Sequence, residues 1–94
     1  MELSPLPETK YNIGQCHEML GNARMAIACY EEVARQGVAE AWIRWSNLVR
    51  KGGRPDEALA ILVEGMRRSQ DPRIQIAHAN LSLELKQKAK GQKH

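Results

Sequence analysis

The residues able to do covalent or ligand chemistry are few and scattered. Cys16 and Cys29 form no Cys-x-x-Cys pair, and no His/Cys cluster has metal-ligand spacing. Glu18, Glu31, Glu32, Glu40, Asp56, Glu57 and Glu64 are spread along the chain. No two of them are placed as the acid and base that proton transfer requires. No glycine-rich phosphate loop follows a strand, because no segment alternates with period two between turn signals. The expectation is a protein that is not an enzyme and takes no metal or cofactor. Cys16 and Cys29 are then small buried thiols, and His17 and His78 partly buried structural histidines.

Charge is the next chemistry to place. The net charge is +3, from 14 basic and 11 acidic residues. Lys86, Lys88, Lys90 and Lys93 lie in the final segment with no acid among them, and without them ten basic residues face eleven acidic ones. The basic character therefore belongs to the tail and not to the body, which argues against the body as a nucleic-acid binder. The tail admits RNA or an anionic membrane as a partner, but no aromatic residues interleave with its lysines, and a solubilising end is the simpler reading. No stretch approaches the ~20 apolar residues of a bilayer span, and MELSPLPETK lacks the pattern of a signal peptide, so the expected location is cytoplasmic. Ninety-four residues, 43% hydrophobic and 27% charged, fit one small domain of modest stability.

The elements that must position these groups are helices. The clearest stretch is AWIRWSNLVRKGGRPDEALAIL, residues 41–62. Trp42, Trp45, Leu48 and Val49 share one helical face, and Gly52 and Gly53 end that helix. Pro55 opens the next, with Asp56 and Glu57 against the positive end of its dipole. Before this hairpin, residues 1–7 are an irregular lead-in in which Ser4 can cap and Pro5 begin a helix. A helix over 8–20 follows, with Ile13, His17 and Leu20 as its inner face. Gly21 stops it, Asn22 can cap the next helix over 23–36, and Gly37 closes that one. Residues 39–51 and 55–69 form the central hairpin. Asp71 and Pro72 then cap and start a last helix, 72–88, with an apolar stripe of Ile74, Ala77, His78, Leu81 and Leu85. Residues 89–94 are a basic flexible tail.

The chain repeats itself. Gly21 and Gly53, Ala26 and Ala58, Glu32 and Glu64, and Arg35 and Arg67 all recur at one spacing, and Ile13 falls on Trp45. The last helix aligns with the central one, placing His78 on Trp42 and Leu81 on Trp45. A helix–turn–helix unit carrying Ile13, Gly14, Gly21, Ala26 and Tyr30, then Trp42, Trp45, Gly53, Ala58 and Leu62, then Leu81 and Leu85, resembles the tetratricopeptide repeat. The resemblance covers residues 8–88: one repeat over 8–37, a second over 38–70, and a half repeat or capping helix over 71–88. ARQGVAEAW is similar to the junction of Sel1-like repeats, a related family. Three positions depart from the pattern. Ser46 stands for Gly or Ala, Gly37-Val38 for a proline, and Gly65 for an alanine, the last expected to loosen its helix by roughly 1 kcal/mol.

The resemblance implies an all-α fold of five helices, antiparallel hairpin repeats stacked into a right-handed α-solenoid. It implies a core of Ile13, Ala26, Tyr30, Trp42, Trp45, Ala58, Leu62, Leu81 and Leu85. It also implies a concave groove lined by Tyr11, Gln15, Glu18, Met19, Ile43, Asn47, Arg50, Lys51, Leu83 and Lys86. Such a groove captures a peptide or helix of a protein partner, here one with acidic residues, in the manner of an adaptor or co-chaperone. The carboxylate clamp of some family members is not carried over, because Tyr11, Gln15, Ile76 and Asn80 stand where its Lys, Asn, Lys and Arg belong. The alternative is a small assembly subunit or secretion-type chaperone that binds a dedicated partner, or itself, through exposed helix faces. Ile74, Ile76, Leu81, Leu83 and Leu85 make the last helix more apolar than one buried stripe requires, which leaves part of it to be covered by another protein, by a second copy of the chain in a homo-oligomer, or by further repeats of a longer parent.

Overall fold

The computed structural model describes the backbone of residues 6–91 and the side chains of residues 6–88. Five helices account for nearly all of it: α1 (Pro7–Met19), α2 (Ala23–Arg35), α3 (Ala39–Lys51), α4 (Pro55–Arg68) and α5 (Pro72–Gly91). No strand occurs among the described residues.

Local chemistry explains where each helix stops. Gly21, Gly37 and Gly53 follow α1, α2 and α3 with φ of 82°, 104° and 91°, values that cost an L side chain steric strain. The left-handed residue turns the chain so that the next amide reaches back. Asn22 N–H bonds the His17 carbonyl at 2.8 Å, Val38 the Val33 carbonyl at 3.3 Å, and Arg54 the Val49 carbonyl at 3.2 Å. Three helices thus end in one type of Schellman cap. α4 ends differently, with Ser69 extended. The Asp71 carboxylate then accepts the Arg73 N–H at 2.9 Å, capping α5 with Pro72 in its first turn. α1 starts at Pro7 behind an extended Leu6. The cap expected from Ser4 and Pro5 lies outside the described residues. α5 continues to Gly91, past the expected end at 88.

Each helix packs on the next, and α3 also meets α5. The core joins Ala26, Tyr30 and Val33 of α2, Trp42 and Val49 of α3, Ala58 and Leu62 of α4, and Ile74 and Leu81 of α5. Trp45 and Leu85 pack against it half-buried, and the Trp45 ring stacks on Trp42 with centroids 5.5 Å apart.

Two glycines set the closest approaches. A Cβ on Gly14 would stand 2.8 Å from Cε1 of Tyr30, and one on Gly65 would stand 2.9 Å from Cγ of Trp42. Gly65 therefore makes room for the largest core side chain, a packing reason for the glycine that its expected loosening of α4 did not include. Gly14 has a consequence for α1. With Gly14 turned onto Tyr30 it is the only buried residue of that helix, and Ile13, about 100° away, is carried outward. Ile13 is 39% exposed and Leu20 75% exposed, so neither joins the core face expected of them. Cys16 is likewise exposed, not buried; Cys29, on α2, is buried against Gly14. His17 and His78 are half-buried.

Candidate functional site

With so little apolar burial, α1 is seated by polar contacts. The Tyr11 hydroxyl donates to the Glu40 carboxylate of α3 at 2.7 Å and accepts from Arg44 Nε at 2.8 Å. Tyr30 of α2 donates its hydroxyl to Glu18 Oε1 at 2.8 Å, and Arg44 Nη1 lies 3.7 Å from the same oxygen. The Tyr11 and Tyr30 rings stand 5.6 Å apart, and the Arg44 guanidinium lies 5.8 Å from the Tyr11 ring centroid. Lys10 pairs with Glu32 of α2 at 3.1 Å.

These neighbours shift the tyrosines. Burial pushes the Tyr30 hydroxyl well above its ordinary pKa, and the hydrogen bond to Glu18 adds to it. Burial and the Glu40 acceptor raise Tyr11 in the same way. For Arg44 burial acts downward, but the hydrogen bond to Tyr11 and the facing Glu18 more than offset it, leaving the guanidinium held more firmly in its charged form.

In front of this network runs a groove walled by α1, α3 and α5, with a further depression at its Glu18 and Lys51 end that reaches Ala23 of α2. Its widest part, about 470 Å³, is lined by Glu18, Glu40, Ile43, Arg44, Asn47, Lys51 and Arg73. Ile43 and Asn47 also form part of an adjoining cavity of about 250 Å³, completed by Arg50, Ala77, Asn80, Leu81 and Glu84. Gln15 and Met19 flank a third depression shared with Glu18, Arg44 and Lys51. Ile43 and Asn47, one turn apart on α3, sit where the first two cavities meet.

The groove has balanced charge. Arg50 pairs with Glu84 at 3.2 Å, across from α3 to α5. Arg73 lies 3.7 Å from Glu40 and 2.9 Å from Asp71. Lys51 makes no ion pair within 4 Å among the described residues.

Of the residues assigned to the groove from sequence, Gln15, Glu18, Met19, Ile43, Asn47, Arg50 and Lys51 come together there. Tyr11 has its hydroxyl held between Glu40 and Arg44 and does not line these three cavities. Leu83 and Lys86 are exposed but do not line the groove. The turn of α5 places Ala77, Asn80, Leu81 and Glu84 toward α3 and leaves Leu83 on the far side. Sequence reasoning missed Glu40, Arg44, Arg73 and Glu84. The i,i+4 spacing of Glu40 and Arg44 was a usable signal; the cross-helix partners of Arg73 and Glu84 had none. Among the described residues no group of three or more His, Cys, Asp or Glu could hold a metal ion, and no helix is long and apolar enough to cross a membrane.

Compared with known proteins, the chain matches no family model and no curated protein.

Proposed function

We propose that this chain is a non-catalytic protein-interaction module of the tetratricopeptide-like helical-repeat type, which captures an extended or helical segment of a protein partner in the groove of α1, α3 and α5. One observation carries the reading. The groove is walled by the first, third and fifth helices, and Ile43 and Asn47 make it continuous along α3. Alternate helices lining one face is what stacked helical hairpins produce. Ile43 offers an apolar contact. The exposed Asn47 amide can both donate to and accept from a partner's main chain. Lys51 offers a cation to an acidic side chain, while the internal pairing of Arg44, Arg50 and Arg73 disfavours a strongly anionic ligand. The ligand is therefore a mixed segment, with an apolar residue near Ile43 and an acidic one near Lys51. The role we read for it is that of a cytoplasmic adaptor or co-chaperone.

Selection of a displayed random-peptide library against the purified chain tests the reading. Selected peptides are expected to carry an apolar and an acidic residue, and to lose ~10-fold or more in affinity to an Ile43→Glu, Asn47→Ala double variant. Peptides that bind this variant as well as the parent chain, or no selected peptide at all, would overturn it.

A further inference from the structure

The first helix with its C-cap, and the last helix, each present two large apolar residues to solvent at a spacing of seven. Ile13 and Leu20 on α1, and Ile76 (59% exposed) and Leu83 (56%) on α5, lie roughly opposite the side by which each helix meets the core. Met25 on α2 and Val63 on α4 are exposed too, but one to a helix, so neither forms a stripe. On α1 the outward stripe is Thr9, Ile13, Cys16 and Leu20; on α5 it is Ile76, Asn80, Leu83 and Gln87. Both follow steps of four, three and four residues. Apolar stripes at this spacing are what two helices bury against each other.

The two stripes match when the helices run antiparallel. Leu20 then faces Ile76, Ile13 faces Leu83, the small Cys16 side chain faces Asn80, and Thr9 faces Gln87. The same register brings exposed Glu8 of α1 opposite exposed Lys88 of α5. Gln75 borders the α5 stripe without charge, and exposed Lys86, three residues beyond Leu83, stands at its rim. We propose that copies of this chain associate head to tail, the outer face of α1 in one copy packing antiparallel on the outer face of α5 in the next.

The occupant is a second copy because both halves of the fit belong to this one chain, with complementary spacing and opposite end charges. The contact is heterologous, so it propagates beyond a dimer or closes into a ring. A single helix pair falls short of the ~800 Å² per partner of a standard stable interface, so association is expected only above ~10 μM. The proposal is separable from the groove reading: of these stripe residues only Asn80 lines the groove, and Leu20 and Leu83 do not.

Sedimentation of the full chain from ~5 μM to ~1 mM is the test, with Leu20→Glu and Leu83→Glu as variants. Both positions are exposed, and circular dichroism should show both variants folded. The parent chain is expected to grow beyond a dimer with concentration. Each variant alone should associate ~30-fold more weakly. An equimolar mixture should form a 1:1 pair and stop, because each variant keeps one good end. In parallel, Asn80→Cys should give a ladder of oxidised oligomers through Cys16 that disappears with Cys16→Ser. A parent chain monomeric at every concentration would overturn the proposal. So would association that survives Leu20→Glu, or an Asn80→Cys crosslink that persists without Cys16, which would mean α5 pairing with α5.

Discussion

The two hairpins solve one packing problem in opposite ways. In α1–α2 the glycine is on the first helix and the aromatic ring on the second, Gly14 under Tyr30. In α3–α4 the ring is on the first helix and the glycine on the second, Trp42 over Gly65. Ring and glycine exchange places between first and second helix, each ring lodged against a glycine, as close-packed interiors demand. The exchange changes what holds each hairpin. Tyr30 ends in a hydroxyl that finds Glu18, and a network of charged hydrogen bonds grows from it. Trp42 is almost wholly buried, its indole N–H has no partner among the described residues, and its hairpin rests on apolar packing. α1 buries only Gly14, whereas α3 buries Ala41, Trp42, Ser46, Leu48 and Val49.

The largest effect should come from the ring of the second hairpin. Trp42→Ala removes a fully buried core side chain that packs on Gly65 of α4 and on Trp45, and is expected to cost about 3–5 kcal/mol in urea unfolding. A cost under ~1 kcal/mol would mean the second hairpin does not depend on this contact.

Next come the glycines. Gly14→Ala and Gly65→Ala each push a methyl into a ring, at about 1–3 kcal/mol, partly offset by roughly 1 kcal/mol of helix propensity. The pairing makes a sharper test. Trp42→Leu should relieve the penalty of Gly65→Ala and leave that of Gly14→Ala untouched in a double-mutant cycle. Equal coupling to both glycines would dissolve the distinction between the hairpins.

Tyr30→Phe should be milder, about 0.5–1.5 kcal/mol at neutral pH, since Glu18 keeps Arg44 nearby. Its sign against pH is specific. The Tyr30 pKa is raised above the ordinary 10.0 in the folded chain. Its contribution is therefore complete below pH 10 and is lost as pH rises above that value, where the unfolded tyrosine ionises and the folded one does not. The parent chain should lose its advantage over Tyr30→Phe between neutral pH and pH ~11. An advantage that grows with pH would contradict the buried hydroxyl.

The smallest effect is local. α1, seated by polar contacts at a half-exposed surface, should exchange its amide hydrogens faster than α3 and open before the chain unfolds globally. Equal protection in both helices would show that the network holds α1 as firmly as the apolar core holds α3.

Much of the architecture was legible in sequence because its signals are local. Gly21, Gly37 and Gly53 end helices by a backbone conformation that one residue decides. Asp71 and Pro72 begin one in the same way. Helical periodicity also placed Ala26, Tyr30, Trp42, Ala58, Leu62 and Leu81, all of which are buried. What failed needed knowledge of a neighbour. Ile13 looks like core until Gly14 is seen to meet Tyr30. Gly65 looks like a weakness until Trp42 lies over it. Tyr11 looks like a lining residue of the groove until Glu40 and Arg44 take its hydroxyl, from residues 29 and 33 positions away. Leu83 was placed in the groove by alignment, but the wall α5 offers to α3 lies on the other side of that helix.

The measurement that bears most directly on the proposed function is amide chemical-shift mapping of the labelled chain with a library-selected peptide. The account predicts saturable shifts centred on Ile43, Asn47 and Lys51 and extending to Glu18 and Asn80, with α2 and α4 quiet. Shifts concentrated on α2 or α4, or on the outer faces of α1 and α5 alone, would contradict it and move the binding surface away from the groove.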